Sequence, residues 1–330
     1  MAMSKKGIFF TFTAIVLALI ILISFNVYTT YQLKDKMEPI EIRVDTMNDF
    51  IKDLENDIEN AIFIAGFRSL LSLEDYMMKY DTFLSEDDAP SLAAAFEEAF
   101  HYGTITTGLV TENMPLMENN TFLNWTERMK VQANKTGIEL KFNIDSVTIS
   151  QSEPWMVDVK VRLDISVQDK KNIASWTITN KEYTTKINIT TPPAAPISEK
   201  KFVDPLYLIS TSGLVNNTIR ETPYLNWPED LGLHLNGYFY REHSDAPSYL
   251  MRFENNLGSS PYGIESLVYL PNLQAKGLAI YSKSTVDYIY FGSTNPEKCN
   301  IDGMEASHPW FYLDKTAHIS FYEAACYAPP

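Results

Sequence analysis

Basic residues are scarce in this chain. Lysine and arginine together number 27 against 42 aspartates and glutamates, which leaves a formal net charge of -15 and a pI near 4.8. A polyanion finds no matching field on such a surface, so nucleic acid is excluded as a partner. Cysteine is scarcer still, with only Cys299 and Cys326. Two thiols so far apart do not make a zinc site. In an oxidising exterior they are expected to close one disulfide; two unpaired buried thiols are the other reading. The short motifs of catalysis are also missing. There is no GxSxG elbow, no Walker loop, no GxGxxG and no HExxH. His101, His234, His243, His308 and His318 include no pair at helical i,i+4 spacing, and they are expected at the surface or in hydrogen bonds, with no metal and no cofactor. Glu265 and Asp287 offer a carboxylate pair of the glycosidase kind. With 42 acidic residues in the chain, such a pair arises easily by chance.

What the chain does have is an uncharged run from Ile8 to Phe25 behind Lys5-Lys6-Gly7. Its length approaches the roughly twenty apolar residues that a bilayer-crossing helix needs. No small-x-small cleavage site follows it, which argues against a removable secretory signal. The expected partner of Ile8–Phe25 is therefore the lipid bilayer. Lys5 and Lys6 on the short side favour a cytoplasmic N-terminus, with most of the chain extracellular and the whole a single-pass protein of the cell membrane.

Beyond the run, periodicity sets the organisation. Ile40, Val44, Met47, Ile51, Leu54, Ile58, Ile62 and Ala65 recur in steps of three and four, with charges on the opposite face. This predicts a long amphipathic helix over 27–82 that continues the first segment (1–26), with Pro39 kinking or briefly breaking it. The stripe Val44, Met47, Ile51, Leu54 and Ile58 faces either the chain's own domain or neighbouring subunits. Residues 89–102 read as a second helix with Pro90 at its start and Gly103 just past its end. From Ile138 the period drops to two. Val157, Val159, Val161, Leu163, Ile165 and Val167 alternate with polar residues without a miss. Flanking runs from Ile138 to Ile144 and from Trp176 to Ile189 complete an antiparallel meander, placed in an ectodomain of residues 83–191. The proline-rich stretch 192–196 reads as a linker. Residues 197–330 follow as a separate aromatic-rich, mainly β module, with strand-like pieces at 206–209, 249–253, 266–270 and 285–291. Its aromatics are expected to fill a core, and any exposed subset would make a sugar- or protein-binding face. The fold class expected is α+β: a transmembrane helix extended by the amphipathic helix, a meander packed on it, and a second β-rich module.

Lys5-Lys6-Gly7 followed directly by an apolar helix resembles the processing site of type IV pilin-like proteins with class III signal peptides. The resemblance implies a cut between Gly7 and Ile8, with Ile8 as the new N-terminus and the apolar helix packed into a filament core. Where that family usually carries glutamate, five residues after the cut, this chain has Phe12, a departure tolerated in minor, tip-type subunits. Five sequons, at Asn119, Asn124, Asn134, Asn188 and Asn216, suit an exported glycoprotein. The expected function is that of a single-pass membrane-anchored extracellular structural or adhesion protein, with a minor pilin-like subunit as the form the resemblance implies. A signal-anchored glycan- or peptide-binding module is the alternative, and an exported hydrolase the second.

Overall fold

The computed structural model describes residues 5–191, 202–223, 231–237 and 239–328, with the backbone alone at 5–12, 29–39, 233, 236 and 237. The first element is one helix, α1 (Lys5–Tyr80), of 76 residues. At 1.5 Å per residue it is about 114 Å long. It runs through Pro39 without a break in its helical assignment, so the expected interruption is not there.

The expected bilayer-spanning anchor is corrected here. Among the described residues, no helix is long and apolar enough to cross a membrane. The single-pass placement with a cytoplasmic N-terminus and an extracellular bulk falls with the anchor.

The rest of the chain gathers on the second half of α1. After it come α2 (Leu92–Tyr102), a hairpin of β1 (Thr104–Thr107) and β2 (Val110–Asn113), and α3 (Phe122–Lys135). Next is the meander of β3 (Ile138–Glu153), β4 (Met156–Asp169) and β5 (Ser175–Asn188). Its order is β3-β4-β5 and both pairs are antiparallel, as the alternation predicts. The inward residues of β4, Val157 through Val167, are all at most 1% exposed. They meet Met47, Leu54, Ile58, Ile62, Ala65 and Leu73 of α1 in one continuous core. Helix and sheet pack tightly at Gly66, where a Cβ would lie 3.1 Å from both Val159 and Ile187. The heptad-like stripe is thus buried against the chain's own sheet, with Val44 and Ile51 half-buried at its margin.

Polar contacts fix the ends. Arg43 Nε donates to Asp169 at 2.7 Å, and its Nη2 donates to the carbonyls of Thr136 and Gly137, tying α1 to the β3–β4 edge. Ser91 caps α2 at its start, and Gly103, at φ 71°, ends it in the left-handed conformation that glycine favours. Pro90 therefore lies just outside the helix. An aromatic row, Phe96, Phe100, Phe122, Trp125 and Phe142, with successive ring centroids 5.2–5.9 Å apart, joins α2 and α3 to the sheet.

The proline-rich stretch 192–196 lies outside the described residues. Beyond it come α4 (Pro205–Ser210), α5 (Leu231–Gly237), β6 (Tyr240–Glu242), α6 (Tyr249–Arg252), β7 (Ile264–Ser266), α7 (Leu270–Ala275), α8 (Asp287–Phe291), β8 (Lys298–Asn300), β9 (Tyr312–Asp314) and α9 (His318–Phe321). Of the strand-like pieces expected here, 206–209, 249–253 and most of 285–291 are short helices, and 266–270 is where β7 gives way to α7. Short apolar runs carry no period that separates strand from helix. The start signals were local: Pro205 sits at the first helical position of α4, and the Asp204 side chain accepts from Leu206 N–H. Phe202, Leu206, Tyr240, Tyr249 and Phe253 belong to the same core as α1 and the meander.

Cys299 and Cys326 form the disulfide, with a Cα–Cα distance of 5.5 Å across a separation of 27 residues. In the chain-entropy model this closure contributes about 3.5 kcal/mol. It is consistent with an extracellular protein.

Neighbouring isoleucines on α1 report which face holds the fold. Ile62 is fully buried and Ile64 is 48% exposed. Ile62→Ala should cost about 3 kcal/mol in urea denaturation, and Ile64→Ala less than about 1 kcal/mol.

Candidate functional site

Three regions concentrate chemistry or unsatisfied surface. The first is a buried ion network. Arg252 reaches inward from α6 and is fully buried. Its Nη1 donates to Asp204 at 2.6 Å and to Asp287 at 2.8 Å, and its Nη2 donates to the Ile264 carbonyl. Tyr240 Oη donates to the same Asp204 oxygen at 2.8 Å and accepts from Asn217 at 2.9 Å. Asp287 also accepts from the N–H and hydroxyl of Ser266, each at 3.1 Å. Burial lifts Asp287 above the usual carboxylate range, against the pull of Arg252. Nearby, Glu74 of α1 accepts from Tyr249 Oη at 2.7 Å and from Val203 N–H at 3.1 Å. Burial raises its pKa well above the ordinary value.

The second is a histidine–carboxylate cluster. Strand β7 pairs with β6 so that Glu265 stands opposite Arg241, and Glu265 has no exposed surface. Its Oε1 accepts from Tyr322 at 2.6 Å. Its Oε2 lies 2.9 Å from His318 Nε2 and 3.7 Å from His243 Nδ1. The other ring nitrogen of His318 bonds Asp314, four residues earlier at the end of β9, and Asp314 accepts in addition from Thr316 and from Ala317 N–H. Burial alone would lower His318, yet Glu265 and Asp314 outweigh it and raise the imidazole to about 10. Burial would likewise raise Glu265, but His318, His243 and Tyr322 hold it below its ordinary value. The side chain of His243 is 10% exposed, and its ring packs 4.1 Å from Phe321. Donor atoms of His243, Glu265 and His318 all lie within 4.8 Å of one another, the spacing of a set able to hold a metal ion.

The third is the apolar N-terminal half of α1. Ile15, Val16, Leu17, Leu19, Ile20, Ile21, Leu22 and Ile23 are each between 38% and 62% exposed, on all sides of the helix.

Each residue singled out in the sequence has its place. Glu265 and Asp287 are both buried, and they sit in different networks, each already bonded. The cut expected between Gly7 and Ile8 falls where only the backbone is described. Asn119, Asn124, Asn134, Asn188 and Asn216 are all exposed. Of the aromatics in the last module, Tyr240 and Tyr249 are fully buried in the core shared with α1, and Phe311 and Tyr322 are fully buried in a separate cluster with Leu231, Leu267 and Val286, whereas Tyr238 lies outside the described residues. His234 is buried, and burial lowers it to about 4. The sequence reading missed the convergence of His243, Glu265 and His318, because 53 residues separate the last two. One local signal was present: Asp314 and His318 stand at i,i+4.

Removing Arg252 strands two buried carboxylates, so Arg252→Met should cost about 3–5 kcal/mol by urea denaturation. Glu74 carries a pH signature. Its raised folded-state pKa means that its contribution is fully present below the unfolded value and is lost as pH rises through the folded one. Glu74→Gln keeps an oxygen acceptor without the charge. Its Tm should gain on that of the wild type between about pH 5 and pH 8, read by thermal melts across that range.

The chain matches no family model, no curated protein and no solved structure.

Proposed function

We propose that this protein is a structural subunit, pilin-like in design, that assembles by packing the apolar half of α1 among the equivalent helices of neighbouring subunits. The exposure of Ile15–Ile23 around the whole helix carries this reading. A helix apolar on every side calls for enclosure from several directions, and one flat partner face cannot give it. Burying a large aliphatic side chain is worth about 1.5–3 kcal/mol, so covering the eight residues supplies on the order of 10 kcal/mol per subunit. The second half of α1 is committed to its own sheet, which leaves the globular part as a head on a long stalk. Adhesion or spacing by that head follows as its role. Processing between Gly7 and Ile8 belongs to the same reading.

Electron microscopy and sedimentation of the full chain test it. The wild type should form assemblies of many subunits, and Ile20→Glu combined with Ile23→Glu should leave monomers whose heads still melt cooperatively. A wild-type chain that stays monomeric, or stops at two copies, overturns the proposal. Intact mass of the protein from its native cell should begin at Ile8.

A further inference from the structure

We propose that His243, Glu265 and His318 form a binding site for a divalent transition-metal ion, zinc first among them. This inference is independent of the assembly reading, because the cluster lies far along the chain from the apolar half of α1.

Ligand geometry comes first. A tetrahedral zinc with bonds of about 2.0–2.1 Å holds its ligand atoms about 3.3 Å apart. The Glu265 Oε2 distances to His318 Nε2 and His243 Nδ1, 2.9 and 3.7 Å, fall on either side of that value. The three donor atoms lie within 4.8 Å of one another, so rotations of the two imidazoles about a fixed Glu265 would bring them around one ion. The donor set, two imidazoles and one carboxylate, suits zinc and its first-row neighbours rather than calcium or magnesium, which take oxygen.

The groups behind these donors are arranged as metal sites require. Asp314 bonds Nδ1 of His318, which fixes the ring and turns Nε2 toward Glu265. A carboxylate behind a ligating histidine is the usual support for such a ligand. Tyr322 occupies Glu265 Oε1, so Oε2 is the oxygen presented to both imidazoles. Asp245 N–H donates to His243 Nδ1 at 3.3 Å, a long bond that an ion would replace at small cost.

Charge and access agree. Glu265 and Asp314 bring two negative charges to a buried place, and a dication balances them. Entry is by way of His243, the partly exposed member of the three. Three protein ligands leave a fourth position for water on that side.

The test uses the full chain, disulfide intact and without a polyhistidine tag. After chelator treatment and equilibration with zinc, elemental analysis should find about one zinc per chain, and Tm should rise by roughly 5 °C at saturating zinc. His243→Gln, at the accessible edge, should fold and lose both the zinc and the shift. His308→Gln, outside the cluster, should keep both. Cobalt(II) in place of zinc should give a visible absorption band that His243→Gln abolishes. Absence of stoichiometric zinc in the wild type overturns the site, as does a His243→Gln variant that holds as much zinc as the wild type.

Discussion

The packing of α1 against β4 is the contact on which the rest of the molecule depends. One stripe of the helix, from Met47 to Met77, lies over a strand whose inward residues are almost wholly buried. Gly66 makes the approach possible, since a side chain there would press on Val159 and Ile187. Once this pair is set, α2 and α3 close one side through the aromatic row, and the short helices of the last third close another through Phe202, Tyr249 and Phe253. Glu74 belongs to the same arrangement, because it takes hydrogen bonds from Val203 and Tyr249 of the last third while standing on α1.

Where period was long and regular, the sequence was enough. Six consecutive alternations on β4 and a stripe of eight residues on α1 each repeat too often to arise by accident, and both elements are present, α1 without the interruption expected at Pro39. The last third has no such repeats. Its pieces are three to seven residues long, too short to repeat either period often enough to tell them apart. Tertiary packing decides their form. The buried networks were hidden for a related reason. Arg252, Asp204 and Asp287 are ordinary charged residues in a chain rich in acids, and only the fold brings them together. Local spacing could have joined Asp314 to His318 and nothing more.

Burying so many ionisable groups is costly unless each is answered, and the two clusters answer in different ways. Around Arg252 the cation is permanent and two carboxylates divide it, with Tyr240, Ser266 and the N–H groups of Leu206 and Tyr288 also donating to them. Around Glu265 the cation is an imidazolium that exists because two carboxylates flank it. In the first arrangement the guanidinium keeps its charge, while burial raises Asp287 to about 6. In the second, of the carboxylates that flank His318, Glu265 is the one that would face the proposed metal ion.

The two halves of α1 differ in what surrounds them rather than in their backbone. From Met47 onward one face is apolar and the chain itself supplies the cover. From Ile15 to Ile23 all faces are apolar, and among the described residues those side chains remain exposed. A continuous helix couples the two regimes mechanically, because a rod of about 114 Å that is clamped along its second half fixes the direction of its first. Any neighbour that covers the apolar end therefore also sets the spacing and orientation of the head. That coupling suits a subunit whose work is to place a folded domain at a fixed position in an assembly.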